Sequence, residues 1–219
     1  MRGNDTKKKI LDEALRLFSE RGYDAVGMDE IAGAVGVRAP SLYNHFSGKQ
    51  AIFDALVESV AARYEKDTDK IDIHVQNVGR DVPTFAAVTE DGLAEKVRQL
   101  FLYSLHDETV SRFRRMMTKE QFRSPAIAAL YSERYVDRLV RYHADMFRAF
   151  SAARVFGADA ADAEALARMY VSPVIVLIGI CDRTPEREAE CLRELDAHVR
   201  LFFRLVHGMS SDVRKEGIQ

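Results

Sequence analysis

Apolar residues recur at three- and four-residue spacing along most of the chain, the pattern of amphipathic helices. Ile10, Leu11, Ala14, Leu15 and Phe18 form the first stripe, which Thr6 is placed to cap and Gly22 to close. Ile31, Ala32 and Val35 form a short second stripe. Gly36 can take the left-handed conformation that ends a helix, and Leu42 and Phe46 restart the spacing, with Val37 as an apolar plug between the two helices. Ser47-Gly48-Lys49 is a turn, after which Ile52, Phe53, Leu56, Val57 and Val60 begin a fourth helix. Once Leu42 and Phe46 point inward, Arg38, Ala39, Ser41, Asn44 and His45 are left pointing out, with Tyr43 at the edge. Short polar side chains read base edges, while cations and hydroxyls hold phosphates, so this helix pair has the shape and chemistry of a unit that fits a DNA major groove.

Past Val60 the spacing predicts further helices. Residues 72–83, polar and carrying Gly79 and Pro83, read as a loop or a disturbed helix end. Thr89 caps a helix through Leu93, Val97, Leu100 and Leu105; Ser124 and Pro125 open another; Asp159 and Thr184-Pro185 open the last two. No alternating strand pattern of useful length occurs, so the predicted fold is all-α. The helix from Pro125 places Ile127, Tyr131, Tyr135, Leu139, Tyr142, Met146 and Phe150 on one face. Its other face carries Arg134, Arg138, Arg141 and Arg148, with Asp137 and Asp145 spaced to pair with them.

The last two helices carry more apolar surface than one helix pair can hide. Leu166, Met169, Tyr170, Pro173, Val174, Leu177 and Ile178 lie on the first, and Leu192, Leu195, Val199, Phe202, Phe203 and Val206 on the second. Either they bury within one chain, or they dock on the same pair from a second copy. The middle helices hold Tyr103, His106, Phe113, Met117, Phe122, Tyr135, Tyr142, His143 and Met146. This mixture of adaptable apolar groups and hydrogen-bonding tips suits a small-molecule pocket and equally suits ordinary core.

Composition narrows the picture by exclusion. The 219 residues hold 32 Lys and Arg against 34 Asp and Glu, a net charge of -2, so any attraction for DNA must be local, at Lys7, Lys8, Lys9, Arg38 and Lys49. Two cysteines, Cys181 and Cys191, suggest a reducing compartment. The N-terminus has no secretory apolar core, and the longest apolar run, residues 171–180, is too short to span a bilayer; a cytoplasmic protein without membrane contact is expected. No Walker loop, dinucleotide fingerprint, His-Glu-x-x-His or nucleophile elbow is present, and the histidines are dispersed. No catalytic residue, metal site or cofactor is therefore expected.

Residues 10–53, and above all Val35-Gly36-Val37 followed by Leu42-Tyr43-Asn44-His45-Phe46 and Lys49, resemble the TetR/AcrR family of bacterial transcriptional regulators. The remainder resembles that family only in length and helical character. The resemblance implies an N-terminal three-helix helix-turn-helix DNA-binding domain, residues 1–50, and a C-terminal helical ligand-binding and dimerisation domain, residues 51–219. It further implies a homodimeric repressor that holds a palindromic double-stranded operator until a small-molecule effector releases it. The alternatives are a DNA-binding dimer that answers to DNA or a protein partner without such an effector, and a helical enzyme.

By the same resemblance Tyr43 and Lys49 fall where phosphates are held, and Arg38, Ala39, Pro40, Ser41 and Asn44 where bases are read; His45 suits either. Gly27, with Met28 beside it in the DNA-facing set, stands where the family usually has a threonine cap. Arg38 replaces the usual serine or threonine cap and brings a forked donor suited to guanine or to phosphate. With the resemblance, Met169, Tyr170, Val174, Leu177, Leu195, Val199, Phe202 and Phe203 become the expected contact between two copies.

Overall fold

The computed structural model describes residues 2–74, 77–155 and 160–216, and every regular element among them is helical. The described contacts divide into two compact units, one running to Lys66 and taking in Asp107–Tyr131, the other formed by Asp67–His106 and the residues from Ser132 on. The chain leaves the first unit and returns to it, so no single cut separates the two.

The first unit is built from α1 (Arg2–Arg21), α2 (Met28–Val35), α3 (Ala39–Tyr43), most of α4 (Lys49–Asp69), α7 (Glu108–Glu120) and α8 (Pro125–Ser132). Ile10, Ala14, Leu15 and Phe18 of α1, Ile31, Ala32 and Val35 of α2, Leu42 of α3 and Ile52, Phe53 and Leu56 of α4 are buried, as their spacing predicts. Each such large side chain contributes roughly 1.5–3 kcal/mol. Val37 is only half-buried. α1 closes at Gly22, whose φ of 90° is left-handed and whose N–H reaches the Phe18 carbonyl at 2.9 Å. Its start differs from expectation: the helix begins at Arg2, so Thr6 lies within it instead of capping it. α7 packs on α1 through a buried face that includes Phe113, Met116 and Met117. Its N-terminus is capped by Asp107, which accepts the Val110 N–H at 2.9 Å and also takes Arg63.

The second unit contains α5 (Val78–Ala86), α6 (Glu90–His106), α9 (Arg138–Ala152), α10 (Ala163–Arg183) and α11 (Glu188–Glu216). Residues 72–83 are more ordered than their composition suggests. Asn77 accepts the Arg80 N–H and starts α5, and Pro83 is accommodated inside that helix on an exposed position. Thr89 caps α6 through the Gly92 N–H at 3.1 Å. The single helix expected from Pro125 is interrupted by a π-helical turn over Glu133–Asp137 between α8 and α9. Steps of four, as from Ile127 to Tyr131, Tyr135 and Leu139, overshoot an α-helical turn by roughly 40° each, and one wider turn absorbs that drift. On the polar face Arg148 pairs with Asp145 at 2.7 Å, as spaced, while Arg141 reaches back across the π turn to Glu133. Asp159, expected to open the next helix, lies outside the described residues.

α10 has the length and apolar composition of a membrane-crossing helix, yet it packs against α9, α11 and α6. Tyr142, Phe147 and Phe150 of α9, Tyr170 of α10 and Phe202 of α11 form one cluster; Phe101, Leu177, Cys181, Cys191, Leu195 and Val199 form another. This corrects the expected chain–chain contact. Tyr170, Leu177, Leu195, Val199 and Phe202 are buried within one chain, so they hold α10 to α11 and present no face to a second copy. Of the expected set only Met169 is well exposed, with Val174 and Phe203 half-buried; the outward apolar residues are Met169, Val176, Leu201 and Leu205. Both cysteines are buried, and the Cys181 thiol is pushed up to about 12 by burial, then by its neighbour Cys191.

Candidate nucleic-acid interface

The turn between α2 and α3 is fixed by backbone geometry. Gly36 has φ 81° and ψ 31°; its N–H reaches the Ala32 and Gly33 carbonyls, and the next N–H, of Val37, returns to Ala32 at 2.9 Å. A side chain at Gly36 would be strained by the left-handed φ, although nothing stands within 4 Å of where its Cβ would be. α3 then starts from Arg38 in an extended conformation with no side-chain cap, and Pro40 sits in its first turn, where a missing N–H costs nothing.

Leu42 and Phe46 are buried beneath α3; Arg38, Pro40, Tyr43 and Asn44 are exposed, and Ala39, Ser41 and His45 half-exposed. Tyr43 stands out further than an edge position would, at 53% exposure. The side chains of Arg38, Ser41, Tyr43, Asn44 and His45 have no hydrogen-bond or ionic partner among the described residues. One short helix thus carries a forked cation, two hydroxyls, an amide and an imidazole, all available to an outside partner.

Gly27 and Met28 begin α2. Gly27 has no side chain to offer the helix, but its own N–H donates to the Glu30 carboxylate at 2.9 Å, the return half of a capping box. That hydrogen bond, reinforced by Arg21, holds the Glu30 carboxyl below its ordinary range. Glu30 was not singled out in the sequence, although its place three residues after Gly27 is the signal that could have found it. Lys7 lies over the Phe46 ring at 5.3 Å, whereas Lys8 and Lys9 are exposed.

Lys49 is placed differently from the α3 residues. Its ammonium donates to the Tyr23 carbonyl at 2.8 Å, approaches the Asp24 carbonyl at 3.4 Å and sits 4.4 Å from the centre of the Tyr23 ring. Tyr23 in turn donates to Gln50 at 2.9 Å and stands edge-on between Phe18 and Phe53, at 5.1 Å from each.

Residues 10–56 match the family described as "Bacterial regulatory proteins, tetR family". That segment belongs to the TetR family. Over 52 residues it is 46% identical to the biofilm operon icaADBC HTH-type negative transcriptional regulator IcaR of Staphylococcus aureus strain Newman; that stretch is 24% of this chain and 28% of IcaR. Among solved structures, the Flavonoid-responsive Regulator FrrA is 26% identical with a TM-score of 0.58, covering 92% of this chain and 97% of its own. Salmonella enterica GusR has the same fold, with a TM-score of 0.64 at 20% identity over 93% of this chain and 96% of its own. The TetR-type head is thus the closely matched part, while the remainder shares architecture with its relatives and little sequence.

The expected pocket residues fall in both compact units. Phe113 and Met117 are fully buried core of the first unit, and Phe122, in the same unit, is 86% exposed. His106 is exposed and pairs with Glu188 at 3.1 Å. Tyr103 donates to Asp67 at 3.1 Å, and Tyr135 lies half-buried in the π turn. Tyr142, His143 and Met146 do cluster in the second unit. His143 lies 5.0 Å from both Tyr142 and Tyr170, donates from Nδ1 to the Leu139 carbonyl at 2.8 Å, and is pushed down to about 4 by burial, so it is neutral at pH 7.

One polar assembly went unforeseen. Asp81, fully buried, accepts from the Tyr142 hydroxyl and from the His74 N–H at 2.8 Å; the His74 ring lies 2.6 Å from Asp81 and 2.8 Å from Asp69. Its members are scattered from residue 69 to residue 142, and no spacing rule links them. No group of three or more metal-type ligands occurs among the described residues.

Proposed function

We propose that this protein is a TetR-type transcriptional repressor, with residues 1–50 reading DNA and residues 51–219 carrying effector binding and dimerisation. The observation that carries the reading is the outer face of α3, where five polar side chains are left without protein partners beside a turn locked by Gly36. Arg38, Ala39, Pro40, Ser41 and Asn44 meet base edges, Tyr43 meets phosphate, His45 meets either, and Gly27 and Met28 bring the start of α2 to the backbone. The match to IcaR, a negative regulator, over this same segment supports repression.

The outward apolar residues Met169 and Val176 of α10 and Leu201 and Leu205 of α11, flanked by half-buried Val174 and Phe203, form the surface offered to a second copy. A two-fold pair reads a palindrome whose half-sites lie roughly 34–36 Å apart. A small molecule releases the operator in proportion to its differential affinity for two arrangements of the heads, and α4, which begins at Lys49 and ends at Asp69, is the continuous element through which such a shift would pass. FrrA, whose name describes a flavonoid-responsive regulator, supports effector binding.

Binding selection on random duplexes tests the reading. Enrichment of a palindrome, with Asn44→Ala relaxing preference at one base position in each half-site, is expected. Failure to enrich any sequence, or enrichment unaffected by substitutions on α3, overturns it. Native mass spectrometry of the purified dimer addresses the effector, a retained small molecule being the expected result.

A further inference from the structure

We propose that His74 is a proton-held clasp on the end of α4. Its ring is protonated on both nitrogens and ties the last turn of α4 to the buried Asp81, so loss of one proton loosens the helix end. The regulatory meaning rests on the reading above, in which α4 carries the effector's signal; the clasp itself lies wholly within the second unit.

The chain reverses directly after α4. The Thr68 carbonyl accepts the N–H groups of Ile71 and Ile73, each at 3.1 Å, and Asp72 takes a left-handed φ of 54°, a conformation that aspartate tolerates better than most residues. This tight turn buries Ile73 and brings His74 back to Asp69 in the last turn of α4. One ring nitrogen, Nε2, lies 2.8 Å from the Asp69 carboxylate. The other, Nδ1, lies 2.6 Å from the carboxylate of Asp81 in α5.

A neutral imidazole has one donor and one acceptor, and a carboxylate only accepts, so a neutral ring satisfies only one of these two contacts. The arrangement therefore holds one proton more than a neutral ring and two carboxylates would. Its place follows from the other partners. Asp81 also accepts the His74 backbone N–H at 2.8 Å and the Tyr142 hydroxyl of α9, so three donors converge on it and suit a carboxylate ion. Asp69 is exposed and has the Arg80 guanidinium at 3.3 Å. The extra proton is thus left to the ring, where a positive charge is also favoured beside a helix C-terminus. The charged and titratable groups around the turn are otherwise engaged: Lys96 of α6 donates to the Ile71 carbonyl, and Tyr103 of α6 and Lys70 both hold Asp67.

The test uses the full-length protein with isotopically labelled histidines, as wild type, Asp69→Asn and His74→Gln. Ring-nitrogen shifts in magnetic resonance separate an imidazolium from either neutral tautomer, and the signal lost in His74→Gln assigns His74. At about pH 7 the wild-type ring should carry hydrogens on both nitrogens. Asp69→Asn changes an exposed position and supplies an amide donor to Nε2, so it should return the ring to the neutral form with its hydrogen on Nδ1. Amide exchange, corrected for its intrinsic pH dependence, reads the clasp directly. Protection at Ile71 and Ile73 should fall about tenfold in wild type as pH rises from about 7 to about 9.5, and stay constant in Asp69→Asn, whose contact needs no extra proton.

A neutral His74 in wild type at that lower pH, or protection with the same pH dependence in wild type and Asp69→Asn, overturns the clasp. Its part in regulation is read from affinity for the selected palindrome at the same two pH values. The ratio of the two affinities should differ by at least about threefold between wild type and Asp69→Asn, and equal ratios overturn the regulatory role. If wild type binds no duplex, the DNA-binding reading falls by itself, and the nitrogen shifts and exchange still decide whether His74 clasps α4.

Discussion

The outer face of α3 and the seam between α5 and α9 draw on similar residue types and treat them in opposite ways. On α3 and at its ends an arginine, two hydroxyls, an amide and an imidazole are exposed or half-exposed without protein partners among the described residues. At the seam a carboxylate, an imidazole and a phenol are turned inward and bound to one another through Asp81, which is fully buried. A buried polar group left unmatched costs about 1–3 kcal/mol, so interior groups must find partners inside the chain. Exposed groups are held by water until something displaces it. The difference teaches where to look for each role, since a partnered interior network specifies the fold and an unpartnered exterior set is available for recognition.

That contrast breaks most readily at Asp81. Replacing it with alanine removes the partner of the His74 Nδ1 and backbone N–H and of the Tyr142 hydroxyl inside the second unit, and a loss of about 3 kcal/mol is expected in urea unfolding. A loss below 1 kcal/mol would mean that the seam network is incidental.

The next effect depends on pH. Burial lowers the His143 value to about 4 against an ordinary 6.5, so between those two values the unfolded chain binds the extra proton. Stability is therefore lost as pH falls from 6.5 toward 4, by about 2–3 kcal/mol when complete, and is unaffected above that window. His143→Phe should remove this part of the acid limb, visible as a flatter difference curve in melts between pH 4 and 7. An unchanged curve would show that the ring is not held neutral.

Smaller changes probe the head. Gly36→Ala forces a side chain into left-handed backbone and should cost about 1 kcal/mol, read as a lower unfolding midpoint, even though the added methyl has open space around it. Asn44→Ala, on the exposed face, should alter stability by no more than about 0.5 kcal/mol while relaxing base preference. A large stability loss there would erase the distinction between the two regions. Gly27→Ser should raise stability by a few tenths of a kcal/mol by adding the missing half of the capping box, measured in the same unfolding series.

Much of the head was legible because its determinants are local. The apolar spacing of Ile10 to Phe18, the break at Gly36 and the inward turn of Leu42 and Phe46 all act within a few residues, and each is buried or bent as its pattern requires. The seam was not legible, because Asp69, His74, Asp81 and Tyr142 come from elements that meet only after folding. The candidate pocket residues, grouped by composition, are distributed between two compact units, with Phe122 left in solvent and Phe113 and Met117 in a core. Lys49 shows the intermediate case, since its position on α4 was predictable and its partners at Tyr23 and Asp24 were not.

By itself, then, the sequence determined most of the helices, the ends at Gly22 and Gly36, the Thr89 cap and the polar set carried by α3, because periodicity, left-handed glycines and capping residues act through backbone geometry over one or two turns. Tertiary structure alone decided which apolar faces of α10 and α11 are used up within one chain, which polar groups are buried together at Asp81, and that the Lys49 ammonium turns onto the loop before α2. Those outcomes depend on distances between residues far apart in sequence, where burial and partner choice, and no local rule, set the free energy.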